Sequence, residues 1–323
     1  MPICQSSASF GVTFAPQIDS TLSMTNQNDD QPVLCIGSAL WDIIASASAP
    51  MVDGADIAGL IRRRMGGVAL NVAVALVRSG QKATLLTAIG TDPEGDSLIT
   101  ALEHEGVDCS HVTRCDDPTD SYLAVEHPNG DIFAAIADCA SLEKAGDTIL
   151  APLLNGQLAC DNQPWLGSIV VDGNIPISVM ENLARQKSVS QADLSFVPAS
   201  PGKARRMRSA LKAAQATLFV NLAEAEILCE SKFANSNIAA SALLALGAGR
   251  AIVTDGPNSA TICTRQTSVT LTPPLVKSHS TTGAGDVFLA AIITAEQNPD
   301  NSALDALQSA IDAAATHISR KPV

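Results

Sequence analysis

The sequence predicts an α/β protein: a doubly wound, mostly parallel sheet with exposed β ribbons beside it. Three observations carry this. Short apolar strands alternate with helical stretches over roughly 250 residues, the pattern of a parallel sheet covered by helices. Hydrophobic residues are 46% of the 323-residue chain and aromatics only 3%, so the apolar content is mostly Ala, Leu, Ile and Val, which suits helices packed on such a sheet. Glycines recur where strands turn into helices, the edge at which ligands bind in open α/β sheets.

Residues 1–31 are rich in Ser, Thr, Gln, Asn and Asp, lack periodicity and are expected to be a poorly ordered tail. The natural start is open between Met1 and Met24. One ordered domain is expected over 32–323. A short strand at 33–37 ends in Gly37, and Asp42 follows five residues later. The stretch 51–64, with Arg62-Arg63-Arg64, reads as an exposed ribbon. Gly66-Gly67 opens an apolar helix over 68–79, stopped by Gly80. A strand is expected at 82–89, and Asp92-Pro93-Glu94 starts a helix ending at Gly106.

Pro128-Asn129-Gly130 turns a hairpin with arms at 121–126 and 131–137. The ribbon at about 51–64 and the hairpin segment at about 119–138 stand apart from the alternation that follows. Strands at 169–172, 194–197, 218–220 and 251–254 then alternate with helices at 177–187, 203–214, 223–230 and 238–246. A second hairpin turns at 255–258, and helices at 284–296 and 302–318 close the chain.

The net charge of −13 argues against nucleic acid as a non-specific partner. No apolar run reaches the ~18 residues that span a bilayer. The first basic residue is Arg62, so neither a signal peptide nor a presequence fits, and a cytoplasmic location without a membrane partner is expected. Eight cysteines without a Cys-x-x-Cys pair indicate reduced thiols rather than a zinc site or a disulfide framework. The five histidines have no ligand spacing.

The most informative stretch is Gly283-Ala284-Gly285-Asp286, followed by an apolar helix. A Gly-rich helix start exposes backbone N–H groups at the positive end of the dipole, an anion site. Asp286, in the first turn, is a proton acceptor beside it, as phosphoryl transfer to an alcohol needs. Read alone, the four residues also fit an ordinary capped helix start.

Five features line up at one sheet edge: Gly37 with Asp42, Gly66-Gly67-x-x-x-Asn71, Asn221-x-x-Glu224, Thr254-x-Gly256, and Gly283-Ala284-Gly285-Asp286. Together they resemble the ribokinase-like (PfkB) carbohydrate kinases, from about residue 33 to 319. Within that family the middle of the chain is similar to bacterial pseudouridine kinases. The carrying segments are Met65 to Ala73, Thr119 to Ala124, Asn129-Gly130-Asp131, Ala135 to Asp138, Val171-Asp172-Gly173-Asn174 and Asn221 to Glu226.

The resemblance implies an ATP- and Mg2+-dependent kinase that phosphorylates the 5′-hydroxyl of a ribosyl substrate, pseudouridine first. The alternatives are another sugar or nucleoside kinase of the family, such as a ribokinase or purine nucleoside kinase, or a catalytically silent ligand-binding member. It assigns Asp286 as base, with the amides of Gly283, Ala284 and Gly285 stabilising the moving phosphoryl group. Asp42, Gly66, Gly67, Asn71 and Asn174 would hold the sugar together with Asp286, Tyr122 could stack on a base, and the segments at about 51–64 and 119–138 would form a small β lid over the substrate. Asn221, Thr254, Gly256, Gly283 and Gly285 would meet the nucleotide, and Asn221 with Glu224 would order magnesium and its waters.

The chain departs from the family in two places. Leu40 stands where a sugar-binding Asn is common. Ser280 stands where an acidic residue or Asn is common, which leaves a monovalent-cation site without support. A homodimer through the lid is compatible with the resemblance.

Overall fold

The computed structural model describes residues 31–320 except 53, 55, 130 and 280. The expected tail, Gln31 apart, and both candidate starts lie outside the described residues. In chain order the strands are β1 (Val33–Ile36), β2 (Leu40–Ala47), β3 (Gly59–Gly66), β4 (Ala83–Leu86), β5 (Ala88–Gly90), β6 (Thr113–Cys115), β7 (Ser121–Glu126), β8 (Ile132–Asp138), β9 (Ser168–Asp172), β10 (Asp193–Val197), β11 (Thr217–Asn221), β12 (Arg250–Thr254), β13 (Ala260–Cys263) and β14 (Ser268–Leu271). The α-helices are α1 (Val68–Arg78), α2 (Pro93–His104), α3 (Ser141–Ala145), α4 (Ile177–Leu183), α5 (Met207–Ala214), α6 (Leu222–Cys229), α7 (Ser236–Leu246), α8 (Ala284–Glu296) and α9 (Ala303–Ser319).

The main sheet has the order β14-β13-β12-β11-β10-β9-β1-β4. The six strands from β12 to β4 run parallel, and β13 and β14 add an antiparallel edge. Both faces are covered, which is why the central strands read as unbroken apolar runs. Alternate residues feed opposite layers: Leu34 and Ile36 join the core under α4, α6 and α7, while Val33 and Cys35 join the core under α1, α2, α8 and α9.

A second sheet stands beside the first, in the order β3-β2-β7-β8. Its register aligns Asp42 with Arg64 on one side and Tyr122 on the other, and Tyr122 with Ala137. Residues in register share a face, so Asp42, Arg64 and Tyr122 lie together.

Asp42 lies within β2, an inner strand of the small sheet, because the chain re-extends at Leu40 to pair with β3 and β7. Two local readings are corrected. The stretch 82–89 is two strands, since Thr87 carries the chain from the β1 neighbour to a separate pairing of β5 with β6. The basic helix at 203–214 begins as a 3-10 turn, Pro201–Arg206, before α5.

Candidate active site

The site forms where α1, α8, α9 and the small sheet meet. A cavity of about 610 Å3 is lined by Asp42 and Arg64 from the small sheet, Asn71 from α1, and Gly283 and Asp286 from the start of α8. Of the residues singled out in the sequence, Asp42, Asn71, Gly283 and Asp286 share its wall. Gly66 lies against the Asp42 carboxyl and Gly67 against the Ser38 carbonyl, outside the wall itself. The wall does not include Tyr122, Asn174, Asn221, Glu224, Thr254 or Gly256.

Helix α8 starts at Gly283, whose φ of 76° is left-handed and needs no Cβ. Phe288 of α8 stacks on Phe219 of β11 with ring centroids 5.7 Å apart, and a Cβ on Gly285 would touch the same Phe219 ring at 3.7 Å. This packing seats the first turns of α8 against the middle of β11. The Ala284 N–H is turned onto the Thr281 carbonyl at 3.2 Å. Of the three amides expected to face an anion, Ala284's closes a turn instead, because a left-handed residue before a helix folds the chain back on itself.

Asp286 lies in the first turn of α8. Its carboxylate accepts a hydrogen bond from the Asn71 amide at 3.0 Å. Burial pushes its pKa up to about 7; the Asn71 bond lowers it and the charge of Asp172 raises it further. Asn71 therefore meets Asp286 directly, in addition to the sugar contact expected of it. Asp42 is also raised above the ordinary carboxylate range by burial, with the Arg64 guanidinium, 3.4 Å away, acting against the rise.

Two glycines make this geometry possible. A Cβ on Gly66 would sit 2.6 Å from the Asp42 carboxyl carbon. Gly67, the N-cap of α1, has φ 104°, and a Cβ there would lie 2.4 Å from the Ser38 carbonyl oxygen.

Beneath the cavity is a residue that sequence reasoning left without a role. Asp172 is fully buried at the end of β9. Its Oδ2 accepts from the Ser38 N–H at 2.8 Å, the Ser38 hydroxyl at 2.7 Å and the Ala69 N–H at 3.1 Å, and its Oδ1 accepts from the Asn174 N–H at 2.7 Å. A carboxylate at the start of α1 complements the helix dipole. Gly37, φ 151°, leaves the space for it: a Cβ there would fall 2.2 Å from the Asp172 carboxyl carbon. The signal available in the sequence was Asp172-Gly173-Asn174 closing a strand. Asn174 turns its amide to the Ser38 hydroxyl and its carbonyl to the Lys203 ammonium.

Asn221 and Glu224 form a reciprocal capping box on α6: the Asn221 side chain accepts from the Glu224 N–H and Glu224 Oε2 accepts from the Asn221 N–H, both at 2.9 Å. Glu224 is buried, and that burial raises its pKa. Register places Thr254 beside Asn221, and Gly256, φ 50°, turns the next loop. These four lie along one edge of the sheet. Among the described residues no group of three or more His, Cys, Asp or Glu side chains could hold a metal ion, and no helix is long and apolar enough to cross a membrane.

The family model described as pfkB family carbohydrate kinase matches residues 30–322. The chain is 34% identical over 110 residues to a pseudouridine kinase of Escherichia coli K12, and 33% identical over 82 residues to a putative sugar kinase of Pyrococcus horikoshii. The first match covers 33% of this chain and 34% of that protein, the second 25% of each, so the chain spans about a third and a quarter of these relatives. Among solved structures, a carbohydrate kinase from Agrobacterium tumefaciens superposes with a TM-score of 0.74 at 25% identity, covering 88% of this chain and 90% of that one. A ribokinase of Arabidopsis thaliana, complexed with ribose and ATP, superposes with a TM-score of 0.75 at 20% identity, covering 90% and 94%. The chain thus shares the ribokinase-like fold of these two structures.

Proposed function

The chain belongs to the pfkB family of carbohydrate kinases, and we propose that it moves the γ-phosphoryl group of ATP to the 5′-hydroxyl of a ribosyl substrate, with pseudouridine preferred. The observation that carries this is Asp286: a half-buried carboxylate at a helix start, raised to about 7, bonded to Asn71 and facing the same cavity as Asp42. A base with a pKa near the working pH is best matched to accepting a hydroxyl proton.

In this reading Asp42 and Asn71 accept and donate to the sugar hydroxyls, with Gly66 and Gly67 letting the backbone come close. Asp286 takes the 5′-hydroxyl proton. The Gly283 and Gly285 amides, with the positive end of the α8 dipole, stabilise charge on the phosphoryl oxygens. Thr254, Gly256 and Asn221 border the nucleotide. Tyr122, on the same face of the small sheet as Asp42, meets the base, and Asn174 braces the sugar end through Ser38. The small sheet acts as a lid that excludes water and so suppresses ATP hydrolysis.

Asn221 and Glu224 offer hard oxygen donors and a single carboxylate, which fits magnesium that keeps most of its waters. They would hold it at the nucleotide phosphates, where it supplies charge neutralisation. The sheet face opposite Asp42 carries the exposed Ile61, Leu123 and Ile136, and a homodimer through that face belongs to the same proposal, as does a cytoplasmic location. Sedimentation of the purified chain as a monomer would remove the dimer.

The pseudouridine assignment draws on the partial match to the E. coli enzyme. The match to the P. horikoshii protein favours the second reading, another sugar or nucleoside kinase. Comparing kcat/KM for pseudouridine, uridine, cytidine, adenosine and ribose decides between them. A site that pairs the extra ring N–H of pseudouridine should disfavour uridine by about 1–3 kcal/mol. Ribose or adenosine ranking first would overturn the pseudouridine assignment and leave the kinase.

A further inference from the structure

The end of α9 grips the loop that precedes α8. The His317 ring Nε2 lies 2.8 Å from the Thr282 carbonyl oxygen. One residue on, the Ile318 carbonyl accepts the His279 N–H at 2.8 Å. A carbonyl can only accept, so Nε2 carries the hydrogen and His317 is the donor. His317, Thr282, Gly283 and Asp286 line one cavity.

The Thr282 carbonyl and the Gly283 N–H belong to one peptide unit. That unit is planar and trans, so its C=O and N–H point to opposite edges. Fixing the carbonyl fixes the direction of the N–H. Gly283 is the N-cap of α8 with φ 76°, and glycine has wide backbone freedom. Without an outside hold this peptide could rotate at little cost. The neighbouring Ala284 N–H is already turned to Thr281, so a cradle at this helix start depends on where the Gly283 N–H points.

We propose that His317 is a positioning residue: by holding the Thr282 carbonyl it aims the Gly283 N–H into the cavity, at the charge that develops on the transferring phosphoryl group. This rests on the kinase reading. His317 itself touches no reacting atom. It acts through one peptide, and its effect appears in the transition state more than in substrate binding.

The test pairs two replacements of similar length. His317→Gln keeps an N–H donor, and His317→Met does not. Acceptor-stimulated ADP release is measured with melting temperatures as a check on folding. His317→Met is expected to lose about 10-fold or more in kcat, the scale of a misplaced catalytic group. Its acceptor KM should stay within about twofold, the pattern of an interaction made mainly in the transition state. His317→Gln should recover most of the loss. As an independent arm, His317→Ala opens a gap on the cavity wall that free imidazole can enter, and added imidazole should raise its kcat. Wild-type kcat in His317→Met, a loss confined to KM, or a Gln variant no better than Met would each overturn the proposal while the kinase stands. So would a kcat of His317→Ala that imidazole leaves unchanged. A wild-type protein that releases no ADP with any acceptor would overturn the kinase reading itself, and this one with it.

Discussion

The Asn71 amide of α1 donates to the Asp286 carboxylate of α8 across 3.0 Å, joining residues 215 positions apart. The bond favours the charged carboxylate against a burial that disfavours it, and the balance leaves the group at about 7. A base must be deprotonated to act, so kcat/KM should fall as pH drops through about 7. Asp286→Asn should lower turnover by at least ~10²-fold, the low end for a positioned base, with nucleoside binding retained. A pH–rate profile that stays flat through neutrality would remove Asp286 from the role.

The same burial costs stability. A carboxyl whose folded pKa is raised favours the folded state fully only below its unfolded value of 3.8, and that advantage is lost as pH rises through about 7. Asp286→Asn has no charge to bury. Its melting temperature should exceed that of the wild type above about pH 8 and approach it in mild acid. Calorimetry at both ends of that range checks the sign.

Asn71→Leu keeps helix α1 but removes the hydrogen bond that holds the Asp286 pKa down. The rising limb of the activity profile should move to higher pH. An unmoved limb would mean that substrate, rather than Asn71, sets the charge state of Asp286.

Gly66→Ala should act on Asp42. The added methyl would meet the Asp42 carboxyl at 2.6 Å and push it aside. The expected outcome is a raised acceptor KM with ATP affinity unchanged. Titration of the variant with each substrate separates the two.

Asp172→Ala removes one carboxylate and strands four donors, from Ser38 (twice), Ala69 and Asn174. Buried groups left without a partner cost about 1–3 kcal/mol each, so the loss should be large enough to threaten folding. Gly37→Ala should imitate it, since its methyl would occupy the carboxylate's place. Urea melts of both variants, with midpoints close to that of the wild type, would show that the network carries little stability.

Glu224→Gln preserves the capping box, in which Glu and Gln are equivalent, so α6 should remain intact. An amide holds a metal's water shell less strongly, and the magnesium concentration for half-maximal activity should rise. Loss of nucleoside binding that excess magnesium does not restore would give Glu224 a structural role instead.

Much of this was legible along the chain. The alternation of strands and helices, the turn of α1 at Gly66-Gly67, and the glycine-rich start of α8 at Gly283 to Asp286 are local signals. They depend on neighbours in sequence and on backbone freedom, which residue type sets directly. The tertiary structure decided what depends on distant partners. Pairing register placed Asp42 in a strand of the small sheet beside Arg64 and Tyr122. Burial raised Asp286, and a residue on another helix moderated it. Asp172 became a hub only because β1, β9 and α1 converge on it. His317 looked like one more isolated histidine until α9 laid its last turn against Thr282. Hydrogen-bond partners and desolvation are properties of space, and a chain's order of residues reveals them only once it has folded.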